Sequence, residues 1–207
     1  TQAKRIAKNL HYIYIDSGAM YRAVTLYAIR KNNVGESRIM NLIESLKDIT
    51  IEFKTSNNGQ NLYLNGELVE NEIRMPIVNS NVSSIAKIPE IRNFLLNKQR
   101  DFGKHKGLVM DGRDIGTVVF PNAECKFFLK ATEEVRAKRR HKEQLKKGNI
   151  QTYEKVLKNI IDRDQTDRNR QLNPLKKASD AIEVDVSDLT KNQVFKKMLG
   201  YILKKIK

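Results

Sequence analysis

The apolar run Leu108-Val109-Met110 is too short for a helix and ends in Asp111-Gly112-Arg113-Asp114-Ile115-Gly116-Thr117. Such a run closed by turn residues reads as a buried strand opening into a loop. In a parallel α/β sheet, ligands bind at the carboxyl ends of the strands. Gly112 and Gly116 let the backbone approach a ligand, while Asp111, Arg113 and Asp114 offer charge of both signs. The combination suits a polar, anionic small molecule; a solvated turn with a local ion pair is the alternative for these residues alone. A second constellation, Arg163, Asp167 and Arg170, follows steps of four and three and so shares one helix face. At about 100° per residue this face borders the apolar stripe of Tyr153, Val156, Leu157, Ile160 and Ile161, and points along the surface toward a groove. An exposed ion pair of little energetic weight is the competing reading. Ser17 with Tyr21 and Arg22, then Ser83 and Arg92, complete the set. Guanidinium groups hold phosphate bidentately, and an acid with a hydroxyl can read an amino-bearing base edge. A nucleotide meets both demands.

The elements that must position these groups follow from periodicity. Residues 1–10 carry Ala3, Ile6, Ala7 and Leu10 at helical spacing, and Tyr12-Ile13-Tyr14-Ile15 reads as a strand. Asp16-Ser17-Gly18-Ala19 then reads as a turn leading to a helix from about Met20 to Lys31. Between Asp48 and Asn71 the pattern alternates, with Asn57-Asn58-Gly59 and Asn65-Gly66 as hairpin turns, which predicts a small antiparallel sheet inserted into an α/β domain. Helical spacing returns from Ile73 to Asp101 and breaks at Ile88-Pro89, where Pro89 suits a first turn. That second helix turns Ile91, Phe94 and Leu95 inward and leaves Arg92, Gln99 and Arg100 for ligand or solvent. Lys126–Leu129 reads as a strand, Thr132 as a helix cap, Gly148 as a stop, and Ala181–Val186 as a last strand. Thr190 with Gln193 predicts a capping box for a terminal helix burying Val194, Met198, Leu199 and Ile202.

A length of 207 residues favours one compact domain with a small inserted lobe. The net charge of +15 and pI near 9.8 would serve nucleic acid, an acidic membrane surface or phosphorylated substrates alike. Lys146-Lys147 and Lys204-Lys205 read as solvated faces, so the informative cations are the arginines inside motifs. The single cysteine, Cys125, excludes an internal disulfide framework, agrees with a reducing compartment, and lies in an apolar run that predicts core packing. No apolar stretch approaches bilayer length and no signal peptide is read at the N-terminus, so the expectation is a cytoplasmic protein.

With these residues in view, the sequence resembles the bacterial cytidylate kinases, in the nucleoside monophosphate kinase group of P-loop proteins. The resemblance rests on Asp16-Ser17-Gly18-Ala19-Met20-Tyr21-Arg22, Leu64-Asn65-Gly66-Glu67, Val82-Ser83-Ser84, Ile91-Arg92 through Gln99-Arg100, Asp111 through Pro121, and Arg163 through Arg170. It runs over nearly the whole chain in consistent order. It implies an α/β fold of P-loop kinase type, a parallel sheet flanked by helices with a small antiparallel insertion and a helical lid. Residues 1–47 and 81–207 would form the core, 48–80 the lobe that binds the monophosphate, and about 136–151 the lid. The implied reaction is ATP-dependent phosphorylation of CMP and dCMP with Mg²⁺, by a monomer with no nucleic-acid or membrane partner. Ser83 and Asp114 would read cytosine, with Arg92 near base and phosphate and Arg113 on the acceptor. Ser17, Gly18, Tyr21 and Arg22 would floor the acceptor pocket, Arg22 engaging the phosphate. Asp167 with Arg163 would contact the ribose, and Arg163, Arg170 and a lid arginine, Arg139 or Arg140, would surround the transferring group. Arg139 would also reach ATP, and Asp16 is the candidate metal ligand. Two rivals are weighed: a kinase for UMP or AMP, and a basic nucleic-acid-binding protein, for which Tyr12, Tyr14 and Tyr63 are too scattered to form a stacking platform.

One departure stands out. These residues contain no G-x-x-x-x-G-K-S/T run, the loop that cradles donor phosphates. The economical expectation is a fragment beginning just past that loop, which folds poorly or lacks kinase activity by itself.

Overall fold

A computed structural model describes residues 2–56, 59–146, 148 and 150–206. The predicted turn at Asn57-Asn58, and Lys147 of the Lys pair, lie outside the described residues. The chain divides into two compact units, one holding Ala7–Gly112 with Ala3, the other Arg113–Lys207 with Gln2 and Lys4–Ile6.

In the first unit, β1 (Ile13–Asp16) pairs in parallel with β5 (Leu108–Asp111), and Asp16 sits opposite Asp111 at the carboxyl ends. Helices α2 (Ser17–Arg30), α3 (Ile39–Glu44), α4 (Pro76–Ile85) and α5 (Pro89–Phe102) belong to this unit, and α1 (Gln2–Leu10) is shared with the second. The core joins Ile15, Met20, Leu42, Ile73, Ile91 and Leu95, all fully buried. The expected turn at 16–19 is instead the first turn of α2. Asp16 is extended, and its carboxylate accepts the Ala19 N–H at 3.0 Å, so it caps the helix directly. The expected antiparallel sheet is present as β2 (Ile51–Ser56), β3 (Gly59–Leu64) and β4 (Glu67–Leu68) in the order β2-β3-β4. Asn65 and Gly66 both have positive φ, 50° and 83°, which a two-residue hairpin turn requires.

On α5, Ile91 and Leu95 are buried as expected, and Arg92 and Gln99 are buried with them rather than exposed to solvent. Arg92 Nη1 donates to the Ala86 carbonyl at 3.0 Å, which offsets part of the cost of burying its charge.

The second unit begins with a π-helical turn (Ile115–Val119), followed by β6 (Phe127–Lys130), α6 (Glu133–Lys146), α7 (Tyr153–Asn169), β7 (Ile182–Asp185) and α8 (Lys191–Lys205). β6 and β7 are parallel. α8 carries the full Thr190–Gln193 capping box and buries Val194, Met198 and Ile202, while Leu199 is half-buried. The predicted apolar stripe of α7 is weaker than expected: only Val156 is fully buried, and Tyr153, Leu157, Ile160 and Ile161 are half-buried. The neighbour of α7 is α6, whose own buried residue is Ala137 alone, so little apolar surface meets it. The Cys125 run is likewise not core: Cys125 is half-buried and Leu129 is exposed. Taken together, the chain is mixed α/β, parallel strand pairs with helices and one small antiparallel sheet.

Candidate functional site

Two clusters of charge, one in each unit, contain most of the residues singled out above. In the first unit, the side-by-side ends of β1 and β5 bring Asp16, Ser17 and Asp111 together. Ser17 Oγ donates to the Asp111 carbonyl at 2.6 Å, and Tyr14 OH donates to the Asp111 carboxylate at 3.1 and 3.2 Å. One turn into α2, Arg22 Nη2 pairs with Asp16 Oδ2 at 2.9 Å. A Cβ on Gly18 would lie 3.1 Å from Asp16 Oδ1 and 3.3 Å from Arg22 Nη1, so a side chain there would press on this pair and oblige it to shift by a few tenths of an ångström. Arg92 lies over the Tyr21 ring, 5.6 Å from its centroid. Ser83 is half-buried on α4.

Arg22 is held below the ordinary arginine range, first by burial and also by Arg74, with Asp16 opposing both. An arginine in that state remains charged. A phosphate beside it would relieve the desolvation that burial imposes, so the cluster is suited to an anion.

In the second unit, Asp167 is the hub. Arg113 Nε donates to Asp167 Oδ2 at 2.8 Å, Arg163 Nε lies 3.9 Å from the same oxygen, and Arg170 Nη1 lies 3.7 Å from Oδ1. Arg170 also reaches Asp114 Oδ2 at 3.6 Å, and its Nε donates to the Asn173 carbonyl at 2.6 Å. Arg163 and Asp167 share the predicted face of α7, whereas Arg170 is the extended residue just past the helix end and reaches Asp167 from there; Arg113 joins from outside the helix. Asp114 is placed by the π-helical turn, whose irregular bonds run from Val119 N–H to Asp114 O and from Phe120 N–H to Ile115 O. Turns of this kind are common at functional sites.

Arg139 and Arg140 stand apart from this hub. Arg139 Nη2 donates to the carbonyls of Val186 and Ser187 at 2.7 and 2.9 Å, and Arg140 is exposed on α6. Sequence reasoning missed three further groups. Lys126, read as part of an apolar strand, is buried, pairs with Asp180 at 2.7 Å and donates to the Pro121 carbonyl, so it holds the segment after Asp114. Arg136 joins α6 to α7 through Asp164 at 2.7 Å. Arg74 sits 3.8 Å from Asp16 and 2.6 Å from Glu70. Lys126 and Arg136 meet partners far along the chain and so carry no local signal, whereas Arg74 pairs with Glu70 four residues earlier, a local spacing that sequence reasoning passed over. A cavity of about 320 Å³ in the second unit is lined by Glu133, Glu134, Ile161, Asp164, Gln165 and Arg168, and its three carboxylates make it a poor phosphate host.

Asp16 does not fit a metal ligand here, since one oxygen caps α2 and the other is paired with Arg22. Among the described residues no group of three His, Cys, Asp or Glu is placed to hold a metal ion. No described helix is long and apolar enough to cross a membrane.

Parallel strand pairs flanked by helices, with one small antiparallel sheet among the described residues, are consistent with the P-loop kinase class, and the arginine clusters suit an anionic ligand such as a phosphate. Comparison with known proteins narrows this. The family model described as Cytidylate kinase matches residues 1–204. A protein of Flavobacterium johnsoniae named cytidylate kinase is 46% identical over 206 residues, covering 98% of this chain and 90% of its own. One from a Geobacillus species, bearing the same name, is 47% identical over 206 residues, with 100% and 92% covered. A cytidylate kinase of Clostridium botulinum is 47% identical over 202 residues, with 98% and 91% covered. This chain belongs to the cytidylate kinase family. It is accordingly a kinase, and its substrates are nucleotides.

Proposed function

We propose that the protein transfers the γ-phosphoryl group of ATP to CMP or dCMP. An acceptor phosphate oxygen attacks Pγ, the bond from Pγ to the bridging oxygen breaks, and ADP leaves with the corresponding diphosphate formed. The gathering of Arg113, Arg163 and Arg170 on Asp167, in a chain of this family, carries the reading. Phosphoryl transfer asks little covalent help from a protein; positioning and neutralisation of charge on the phosphoryl oxygens dominate. Arginines supply both.

In this reading Ser17, Gly18, Tyr21 and Arg22 form the acceptor floor, with Arg22 on the phosphate. Ser83 and Asp114 read cytosine, Arg92 supports base and phosphate, and Arg113 holds the acceptor. Asp167 with Arg163 contacts the ribose, and Arg163 and Arg170 flank the transferring group. A contribution from Arg139 requires release of its bonds to the Val186 and Ser187 carbonyls, a step suited to a closing lid over about residues 136–151 that excludes water. Residues 48–80 serve as the acceptor-binding lobe. Mg²⁺ supplies charge neutralisation on a bound nucleoside triphosphate; Asp16 does not fit it, and no step is assigned through it. The protein acts in the cytoplasm as a monomer, without nucleic-acid or membrane partner.

Acceptor choice tests the reading. A carboxylate at Asp114 accepts from the cytosine amino group and repels a uracil carbonyl at the same place. Calorimetric titration with CMP, UMP and AMP is expected to show UMP about 100-fold weaker, the scale of losing one hydrogen bond to a charged group. Asp114→Ala should bring CMP down to that level. Equal binding of CMP and UMP by folded protein would overturn the assignment.

A further inference from the structure

We propose that Arg74 is a positioning residue for the acceptor phosphate: it takes over the Asp16 carboxylate when Arg22 turns from that carboxylate to the phosphate. The inference rests on the reading of Arg22 as a phosphate ligand and adds to it a partner exchange.

Asp16 Oδ2 lies between two guanidiniums, Arg22 Nη2 at 2.9 Å and Arg74 Nη2 at 3.8 Å. Its other oxygen is committed to the α2 cap, so the carboxylate stays in place whatever Arg22 does. Arg22 Nε is buried and has no hydrogen-bond partner among the described residues, which leaves this guanidinium with a donor that Asp16 does not use. An arriving phosphate that draws Arg22 away would therefore face an uncompensated carboxylate. Two anions at such range in a part-buried site oppose each other strongly.

Arg74 is placed to prevent this. It ends the short turn Glu72–Arg74 ahead of α4, and Glu70 holds its Nη2 at 2.6 Å and its Nε at 3.2 Å. The same turn is tied to α2 by Arg30, which donates to Glu72 at 2.9 Å and to Glu67 at 2.7 Å. Arg74 is thus fixed at its distal end and aimed at Asp16, one short movement from direct contact. The proximity of Arg74 also disfavours charge on Arg22, an opposition that a bound phosphate would remove.

The test compares CMP with cytidine, which lacks the phosphate, by calorimetry on the full chain and on Arg74→Gln, Arg74→Lys, Asp16→Asn and the Asp16→Asn/Arg74→Gln double variant. Asn caps a helix as well as Asp, so the start of α2 survives the change. The Arg74 side chain is half exposed, and its replacement opens no cavity. Arg74→Gln is expected to weaken CMP about tenfold and cytidine less than about twofold, with Arg74→Lys restoring most of the loss. In the Asp16→Asn background, where the carboxylate charge at position 16 is gone, Arg74→Gln should change CMP affinity less than about twofold. Equal weakening of CMP and cytidine would mean a purely structural role, and a full tenfold loss in the Asp16→Asn background would mean direct phosphate contact; either overturns the exchange. A parent chain that binds CMP no better than cytidine overturns the reading of Arg22 and this inference together, whereas a clear CMP preference untouched by Arg74→Gln overturns this inference alone.

Discussion

Asp167 holds one end of three guanidiniums, and removing it leaves like charges facing each other beside a buried Arg170. Deleting one member of a buried pair costs about 3 kcal/mol or more, because the remaining charge stays desolvated. Asp167→Ala should therefore lose about that much in urea unfolding; a loss below about 1 kcal/mol would show that the arginines rearrange freely. Lys126 and Asp180 give a pH dependence whose sign can be worked out. The Lys126 ammonium holds the Asp180 carboxyl below the ordinary value of 3.8, chiefly through their hydrogen bond. A depressed carboxyl pKa adds stability above the unfolded value, and this is lost as pH falls from about 4 toward the folded pKa. Thermal melts below pH 4 should accordingly fall less steeply for Asp180→Asn than for the parent; identical slopes would exclude the coupling. Burial also raises the Cys125 thiol above its usual range, which agrees with an unreactive side chain.

At the scale of elements, helix starts decide where the functional side chains fall. Because Asp16 caps α2, Ser17, Tyr21 and Arg22 lie in its first two turns beside the end of β5. A helix beginning at Met20 would leave Ser17 in a loop, without the geometry that lets its hydroxyl reach the Asp111 carbonyl. The cap on α8 is a cleaner measure of the same physics, since Thr190 and Gln193 satisfy each other's backbone N–H groups away from any candidate site. Thr190→Ala is expected to cost about 1 kcal/mol, read as a lower urea midpoint at unchanged slope. No shift in that midpoint would mean the helix end frays without penalty.

Across the whole molecule the positive field is uneven. Residues 113–207 hold 23 Lys and Arg against 13 Asp and Glu, so they carry +10 of the net +15. Such a field raises the encounter rate of an anionic nucleotide and is screened by salt. The association rate of CMP, followed by stopped flow with a fluorescent analogue, should fall as ionic strength rises from 0.01 to about 0.15 M, while dissociation changes less. A salt-independent association rate would leave the charge without a steering role.

What the sequence by itself determined is the local order. The Asn65-Gly66 turn, the Thr190–Gln193 box, the break at Pro89, and the common face of Arg163 and Asp167 all follow from backbone preferences and helical spacing that span a few residues, whereas Arg170 lies past the helix end in extended backbone. The family likeness was legible for the same reason, since its motifs are short strings. Only the tertiary structure decided partners. Arg113 meets Asp167, and Lys126 meets Asp180, each across 54 residues. Arg92 is buried, Arg139 is bound to carbonyls, and Asp16 is shared between Arg22 and Arg74. Periodicity says which face a side chain occupies, but the group it meets there is set by how distant elements pack, and a charge settles wherever that packing provides an opposite charge or a carbonyl to offset its desolvation.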